Sequence, residues 1–238
     1  MNAPANIRGV QIHTDFEQGS ERWLQARCGT LTASEFDRII TAKTLKIADN
    51  PKSRSHLWEM ASQRITGYVE PQYISDAMLR GHADEILARE DYIKHFDPVE
   101  QCGFVTNSKW GFTLGCSPDG LVGDDGLIEV KSSCQRLQVQ RLVEHYESAD
   151  MPEEFVLQTQ GLLLVTERKW CDLLLRCGGL PQKRIRVWPD NTVQSAIIDA
   201  AAKFESRINE VVATWQQLLA DDPQLIPTER TIEQEMVI

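Results

Sequence analysis

The 238-residue sequence has no apolar run approaching the roughly 20 residues that a membrane-spanning helix needs. Residues 1–18 carry no apolar block, so no secretory leader is expected. The six cysteines, at 28, 102, 116, 134, 171 and 177, form no CxxC pair and are irregularly spaced. That spacing argues against a zinc or iron–sulfur cage, and a chain of this length needs no disulfide framework. A reducing cytoplasm is the expected setting. No repeat and no low-complexity block is present. Basic residues are in deficit, with 25 Lys+Arg against 35 Asp+Glu and a net charge of −10. An acidic excess argues mildly against phosphate-rich partners, unless the Lys and Arg residues are gathered in one groove.

With 25% charged and 42% hydrophobic residues, the composition is that of an ordinary globular protein. One domain over 1–238 is expected, with an arm at 1–19 and an acidic tail at 221–238. Ser20 caps a helix to Arg27, with Gly29 past its end. Thr32 and Glu35 fit a capping box that opens a second helix. Lys43 to Ser55 reads as a basic exposed loop, and His56 to Thr66 as a helix stopped by Gly67. Ser75 to Phe96 reads as a long helix with Ala77, Met78, Ile86, Ala88 and Ile93 on its apolar side. Short strands follow at Gly103–Val105, Gly111–Cys116, Leu121–Val122 and Leu127–Lys131, with Asp124-Asp125-Gly126 as a hairpin turn. A helical stretch near 136–160 precedes a strand pair at Leu162–Val165 and Cys171–Arg176, then an edge strand at Arg184–Trp188. In the last helix Ile197, Ala201, Phe204, Ile208, Val211, Trp215 and Leu218 form one apolar stripe. The fold class is α/β, a central mixed sheet flanked by helices.

The chemistry concentrates in the middle. Ser117-Pro118-Asp119-Gly120 suits a tight turn. Ten residues later, Glu129 and Lys131 share one face of a strand while Ile128 and Val130 face the core. A hairpin turning at Asp124–Gly126 returns Glu129 to Asp119. Two carboxylates at one point suit a hard cation, Mg²⁺ or Mn²⁺, and a neighbouring ammonium suits charge developing on a phosphoryl group. Each fragment alone is also a common surface turn or a solvated ion pair; the combination is much rarer.

Pro118-Asp119, Glu129 and Lys131 match the P-D-(x)n-E-x-K signature of the PD-(D/E)xK nuclease superfamily. The chain more closely resembles the lambda exonuclease family, also called YqaJ-type viral recombinases. The resemblance runs through Trp23-Leu24-Gln25-Ala26-Arg27 with Thr32-Ala33-Ser34, then Arg80-Gly81 with Glu85. It continues through Gly115 to Gly120, Ile128 to Lys131, and Gln158-Thr159-Gln160 with Val165-Thr166. It implies a restriction-endonuclease-like core and a Mg²⁺-dependent 5′→3′ exonuclease acting on duplex DNA ends, of phage or prophage origin. It further implies a homotrimeric ring and a single-strand annealing protein as partner.

By the same resemblance Glu85 is a further metal-site carboxylate, although spacing alone pairs it with Arg89 at i+4. Val130 would offer its backbone carbonyl to the metal. Gln158 would stand near the catalytic centre, although periodicity allows an ordinary surface glutamine. Arg27, Ser34 and Ser117 would bind the 5′-terminal phosphate. For Arg27 and Ser34 there is also a physical argument, because a helix N-terminus and a guanidinium both attract anions. Lys43, Lys46, Lys52, Arg54, Arg136 and Arg141 are candidates for the DNA backbone. The scattered histidines 13, 56, 82, 95 and 145 and most cysteines read as structural. Competing readings are a restriction-like endonuclease, a RecB-type nuclease domain, or a DNA-annealing or DNA-binding protein without activity.

Overall fold

The computed structural model describes residues 9–71, 75–145 and 151–230. Parts of the expected arm (1–8), of the 136–160 helical stretch (146–150) and of the tail (231–238) lie outside them. In chain order the elements are β1 (Val10–His13), α1 (Glu21–Arg27), β2 (Leu31–Thr32), a 3₁₀ helix (Ala33–Arg38), α2 (Pro51–Thr66) and α3 (Asp76–His95). Then come β3 (Phe104–Asn107), β4 (Leu114–Cys116), β5 (Gly120–Val122), β6 (Gly126–Ser132), α4 (Gln135–Glu144) and a 3₁₀ turn (Glu153–Phe155). The chain continues through α5 (Val156–Thr166), β7 (Trp170–Arg176), β8 (Lys183–Val187) and α6 (Asn191–Asp221).

The mixed strand pairing is divided between two four-stranded sheets, β1-β3-β4-β2 and β5-β6-β7-β8. In the first only β2 and β4 are parallel, and in the second only β6 and β7. Parallel neighbours need a crossover, and between β6 and β7 the chain passes through α4 and α5. The second sheet is covered on both faces. Ile128, Val130 and Leu174 pack with Ala88 and Tyr92 of α3. Leu127, Leu173 and Leu175 face the larger core, with α5, α6 and the first sheet. The expected edge strand is β8, at the border of its sheet.

Four expectations need correction. First, helix α2 begins at Pro51, not His56. Asn50 caps it by accepting from the Ser53 N–H at 2.9 Å, and Pro51 opens the first turn, where its missing N–H costs nothing. Second, Leu162–Val165 belongs to α5 and is not a strand. The helix is buried on nearly every side, so it carries no amphipathic period and a short apolar run of it mimics a strand. Third, Met78, Ile86 and Ile93 of α3 are exposed. The buried stripe is Asp84, Ala88 and Tyr92; the two polar members find their partners, Ser132 and Asp172, on the strands directly beneath the helix. Fourth, the element after Thr32 is a six-residue 3₁₀ helix. In α6 the stripe is buried through Ile208, but Trp215 and Leu218 are exposed. Its 31 residues, rising ~1.5 Å each, outrun the core.

Gly161 lets α5 approach the 3₁₀ helix closely. A Cβ there would fall 2.6 Å from Phe36 Cε2 and 2.9 Å from Ala33 Cβ, and Phe36 is fully buried. Gly→Ala normally stabilises a helix interior by about 1 kcal/mol. Gly161→Ala is expected to reverse that sign, losing about 1–3 kcal/mol through overpacking. Urea unfolding that shows Gly161→Ala at or above the parent's stability would contradict the close approach.

Candidate active site

The hairpin of β5 and β6 sets the site. Its register pairs Gly120 with Ile128 and Val122 with Gly126, so Asp119 comes to the edge of β6 just beyond the last pair. There its Oδ2 accepts from the Val130 N–H at 2.6 Å. In a strand the N–H and C=O of one residue point to the same edge. The Val130 carbonyl therefore emerges on the side where Asp119 lies.

On the adjoining face Glu129, Lys131 and Gln158 close a ring. Lys131 Nζ donates to Glu129 Oε1 and to Gln158 Oε1, each at 2.7 Å. Gln158 Nε2 donates to Glu129 Oε1 at 2.6 Å. Gln158 comes from the first turn of α5, which ties that helix to β6. Glu129 is buried, yet its Oε2 has no hydrogen-bond partner. A buried carboxylate oxygen without a donor costs free energy unless something positive meets it.

Glu85 reaches the same centre from α3. It pairs with Arg89 at 2.8 Å and also shares a cavity wall with Asp119, so the i+4 pairing and the place near the site are both realised. Burial, then Glu129 and Glu85, push the Asp119 carboxyl well above the usual range. Burial also raises Glu85, with Arg89 opposing. Burial works to lower the Lys131 ammonium, but Glu129 and Asp119 outweigh it and hold it above its ordinary value. Asp119, Glu129 and Glu85 are near enough to raise one another's proton affinity but are not drawn together as tightly as the Glu35, His56 and Glu59 cluster. Their oxygens, one of them buried and unmatched, are of the donor type that Mg²⁺ or Mn²⁺ takes.

Residues not identified from the sequence hold α3 over the strand. Ser132 Oγ donates to Asp84 Oδ2, and Arg176 Nη1 to Asp91 Oδ2 at 2.6 Å. Tyr92 Oη donates to the fully buried Asp172 at 2.7 Å, and Arg186 adds two bonds of 2.8 Å to the same carboxylate. The only trace in the sequence is the i, i+4, i+8 spacing of Asp84, Ala88 and Tyr92.

Arg27, Ser34 and Ser117 lie in one polar group bridged by two residues. Arg27 Nη2 donates to Thr32 Oγ1 at 3.2 Å, which lies 3.2 Å from Ser34 Oγ. Glu35 accepts from the Thr32 N–H and hydroxyl at 3.3 and 2.7 Å, the Glu half of the expected capping box. Trp23 donates from Nε1 to Ser117 Oγ at 2.8 Å, and its ring lies 4.5 Å beneath the Arg27 guanidinium. Trp23 thus fixes both sides of the group. The dipole argument for Ser34 weakens, because a single 3₁₀ helix of six residues concentrates little charge at its end.

The backbone candidates separate. Lys52 pairs with Asp37 at 2.6 Å and Arg54 with Asp49 at 2.9 Å. Arg141 is tied to Glu154 at 2.6 Å and lies over Phe155. Lys43, Lys46 and Arg136 are exposed, with no ion pair among the described residues. His56 is buried in a cluster with Glu35 and Glu59. Arg38 Nη1 occupies that cluster, 2.9 Å from Glu59 and 3.1 Å from His56 Nδ1, so a cationic side chain already supplies its charge. Cys102, Cys116, Cys171 and Cys177 are buried, as small core side chains; Cys134 is exposed.

No curated protein sequence matches the chain. Among solved structures it is similar to an alkaline exonuclease from Laribacter hongkongensis, LHK-Exo, with 27% identity, a TM-score of 0.67, and coverage of 84% of this chain and all of that one. The same enzyme solved in complex with dAMP superimposes with a TM-score of 0.66 at 27% identity over the same shares. A phage-related exonuclease from Haemophilus somnus 129PT shares the fold at 13% identity, with a TM-score of 0.56 over 78% of this chain and 96% of that one. The sequence profile of the YqaJ-like viral recombinase domain matches residues 22–169, which include Arg27, Asp119, Glu129, Lys131 and Gln158. The α/β core of the PD-(D/E)xK type and this match agree, and the chain belongs to the YqaJ-like viral recombinase family.

Proposed function

We propose that the protein is a divalent-cation-dependent exonuclease that degrades one strand of duplex DNA from its 5′ end and leaves 3′ single-stranded overhangs. The observation that carries this reading is the placement of Asp119, bonded to the Val130 N–H, next to Glu129 of β6 and beside Lys131, with Glu85 lining the same cavity as Asp119 and Glu129 Oε2 buried and unmatched. Asp119, Glu129, Glu85 and the Val130 carbonyl would hold Mg²⁺, with Mn²⁺ as a substitute. When bound, the cation polarises a phosphoryl oxygen and makes hydroxide accessible near neutral pH. Lys131 orients the attacking water and stabilises charge gathering on the phosphoryl oxygens. Gln158 fixes the Lys131 ammonium and the Glu129 carboxylate together, so neither must reorganise during the reaction.

Polarity follows from the second group. Arg27, Ser34 and Ser117 would receive the 5′-terminal phosphate through a guanidinium and two hydroxyls, with Trp23 holding Arg27 and Ser117 in place. Likeness to an exonuclease solved with dAMP supports release of deoxynucleoside monophosphates. Homologous recombination by annealing would use the 3′ overhangs, through a single-strand annealing partner in the cytoplasm of a bacterial host carrying the phage or prophage. A homotrimeric ring resolves the charge problem, because it can turn cations inward to DNA and the acidic excess outward.

Three outcomes are expected. Lys131→Ala should lower nucleotide release from linear duplex by about 10²–10³-fold, with fold and end binding retained and closed circular DNA untouched by the parent. Near-normal release at saturating Mg²⁺ would remove Lys131 from the chemistry. A 5′-phosphorylated end should be digested about 10- to 100-fold faster than a 5′-hydroxyl end, the size of a charge-assisted contact, and Arg27→Ala should narrow the difference. Equal rates on both ends in the parent would exclude the phosphate pocket. Light scattering at low micromolar concentration should give three times 27.0 kDa; a monomer mass would exclude the ring.

A further inference from the structure

Helix α6 extends beyond the body of the molecule. Its apolar residues Ile197, Ala201, Phe204, Ile208, Val211, Trp215 and Leu218 recur at alternating steps of four and three, the seam spacing by which one helix packs along another. The first four are buried. There α2 meets the helix, with His56 stacked on Phe204 and Arg64 paired with Glu205 at 2.7 Å. Val211 and Val212 are half-buried at the border of the core. From Ala213 to Asp221 every residue is exposed, and Trp215, Leu218 and Leu219 are 39%, 44% and 52% so. The seam thus continues where no described element covers it.

The charge of this end is one-sided. No Lys or Arg occurs between Arg207 and Arg230, whereas Glu210, Asp221, Asp222 and Glu229 do. Among the described residues Glu210, Asp221 and Asp222 form no ion pair. Such a rim repels DNA and anionic lipid, since both present phosphate. A second copy of the chain would bring the same carboxylates to the same seam, and like charges would meet. The heptad spacing calls for a helix, and the unpaired carboxylates call for cations beside its apolar positions. The nuclease machinery lies elsewhere: α6 follows the family-matched residues 22–169.

We propose that the distal part of α6 is a docking surface for a protein partner, which lays an amphipathic helix bearing Lys or Arg beside its apolar stripe against Trp215, Leu218 and Leu219. Trp215 is the anchor, because a large aromatic side chain enclosed at the centre of an interface carries much of its binding energy. The carboxylates orient the incoming helix and speed its approach. The proposal needs neither metal nor DNA and does not depend on the exonuclease reading.

The test uses the full chain and a dye-labelled designed peptide of three heptads, with Leu at both seam positions and Lys at the flanking ones. The flanking Lys residues also keep the peptide from pairing with itself. One control peptide carries Glu for every Lys, and another has the same composition with its Leu residues scattered off the seam. By fluorescence anisotropy the Leu–Lys peptide should bind about 10-fold more tightly than either control, and Trp215→Ser with Leu218→Ser and Leu219→Ser should remove at least about that factor, the scale of a lost interface anchor. Asp221→Asn with Asp222→Asn should weaken binding severalfold at about 0.1 M salt and less at about 1 M, where charges are screened. All of these side chains lie outside the core, so unchanged circular dichroism is expected of both variants. No binding of the Leu–Lys peptide, equal binding of the three peptides, or binding that survives the triple variant would overturn the proposal. A lower mass of the triple variant in light scattering would overturn it as well, by assigning the seam to contacts between copies of the chain.

Discussion

The contact on which the site depends is the 2.6 Å bond from the Val130 N–H to the Asp119 carboxylate. It forms because β5 and β6 are joined by a short turn and their pairing ends at Gly120 and Ile128. Beyond that pair β6 has an open edge, and Asp119 covers it. A shift of the hairpin by one residue would turn Glu129 and Lys131 to the opposite face. The register is held by Leu127 on one side and by Ile128 and Val130 on the other, each packed in a separate core. Hydrophobic burial thus fixes the placement of the charges.

Crowding carboxylates in a partly buried centre destabilises a fold, and the surroundings offset it with fixed donors. Lys131 and Gln158 neutralise one oxygen of Glu129, the Val130 N–H meets Asp119, and Arg89 meets Glu85. One oxygen of Glu129 is left over. Around this centre α3 is tied to the sheet through Asp84, Asp91 and Tyr92. The contacts of Asp84 and Tyr92 are buried, and buried polar contacts are costly when half satisfied. Here they hold Glu85 on a helix that hydrophobic packing alone, through Ala88 and Tyr92, would hold less specifically.

The net charge of −10 is compatible with DNA binding once the ion pairs are known. Lys52, Arg54 and Arg141 are engaged by Asp37, Asp49 and Glu154. Lys43, Lys46 and Arg136 stand exposed, and Arg27 is half-buried over Trp23. A few cations at defined positions serve a phosphate backbone better than a uniform basic surface, because each contact is then directional. Net charge averages over this arrangement, and so it misleads when taken by itself.

The sequence by itself determined the hairpin and the two carboxylates that meet on it, since turn chemistry and strand alternation act within a dozen residues. It also determined the caps at Ser20 and Thr32 and the long terminal helix, which are equally local. Other features depended on tertiary structure. Asn50 and Pro51 open a helix where a loop reading also fitted, because α2 has a buried face that the basic residues conceal. Leu162–Val165 is helix because α5 is enclosed on all sides, which removes the periodicity that distinguishes helix from strand. The tethers Asp84–Ser132 and Tyr92–Asp172 join residues 48 and 80 positions apart, and no local preference encodes such a distance. The cavity beside Glu85 exists only because the first strand's loop folds back over α3. Local patterns chose the candidate site groups, whereas long-range packing shaped the space around them.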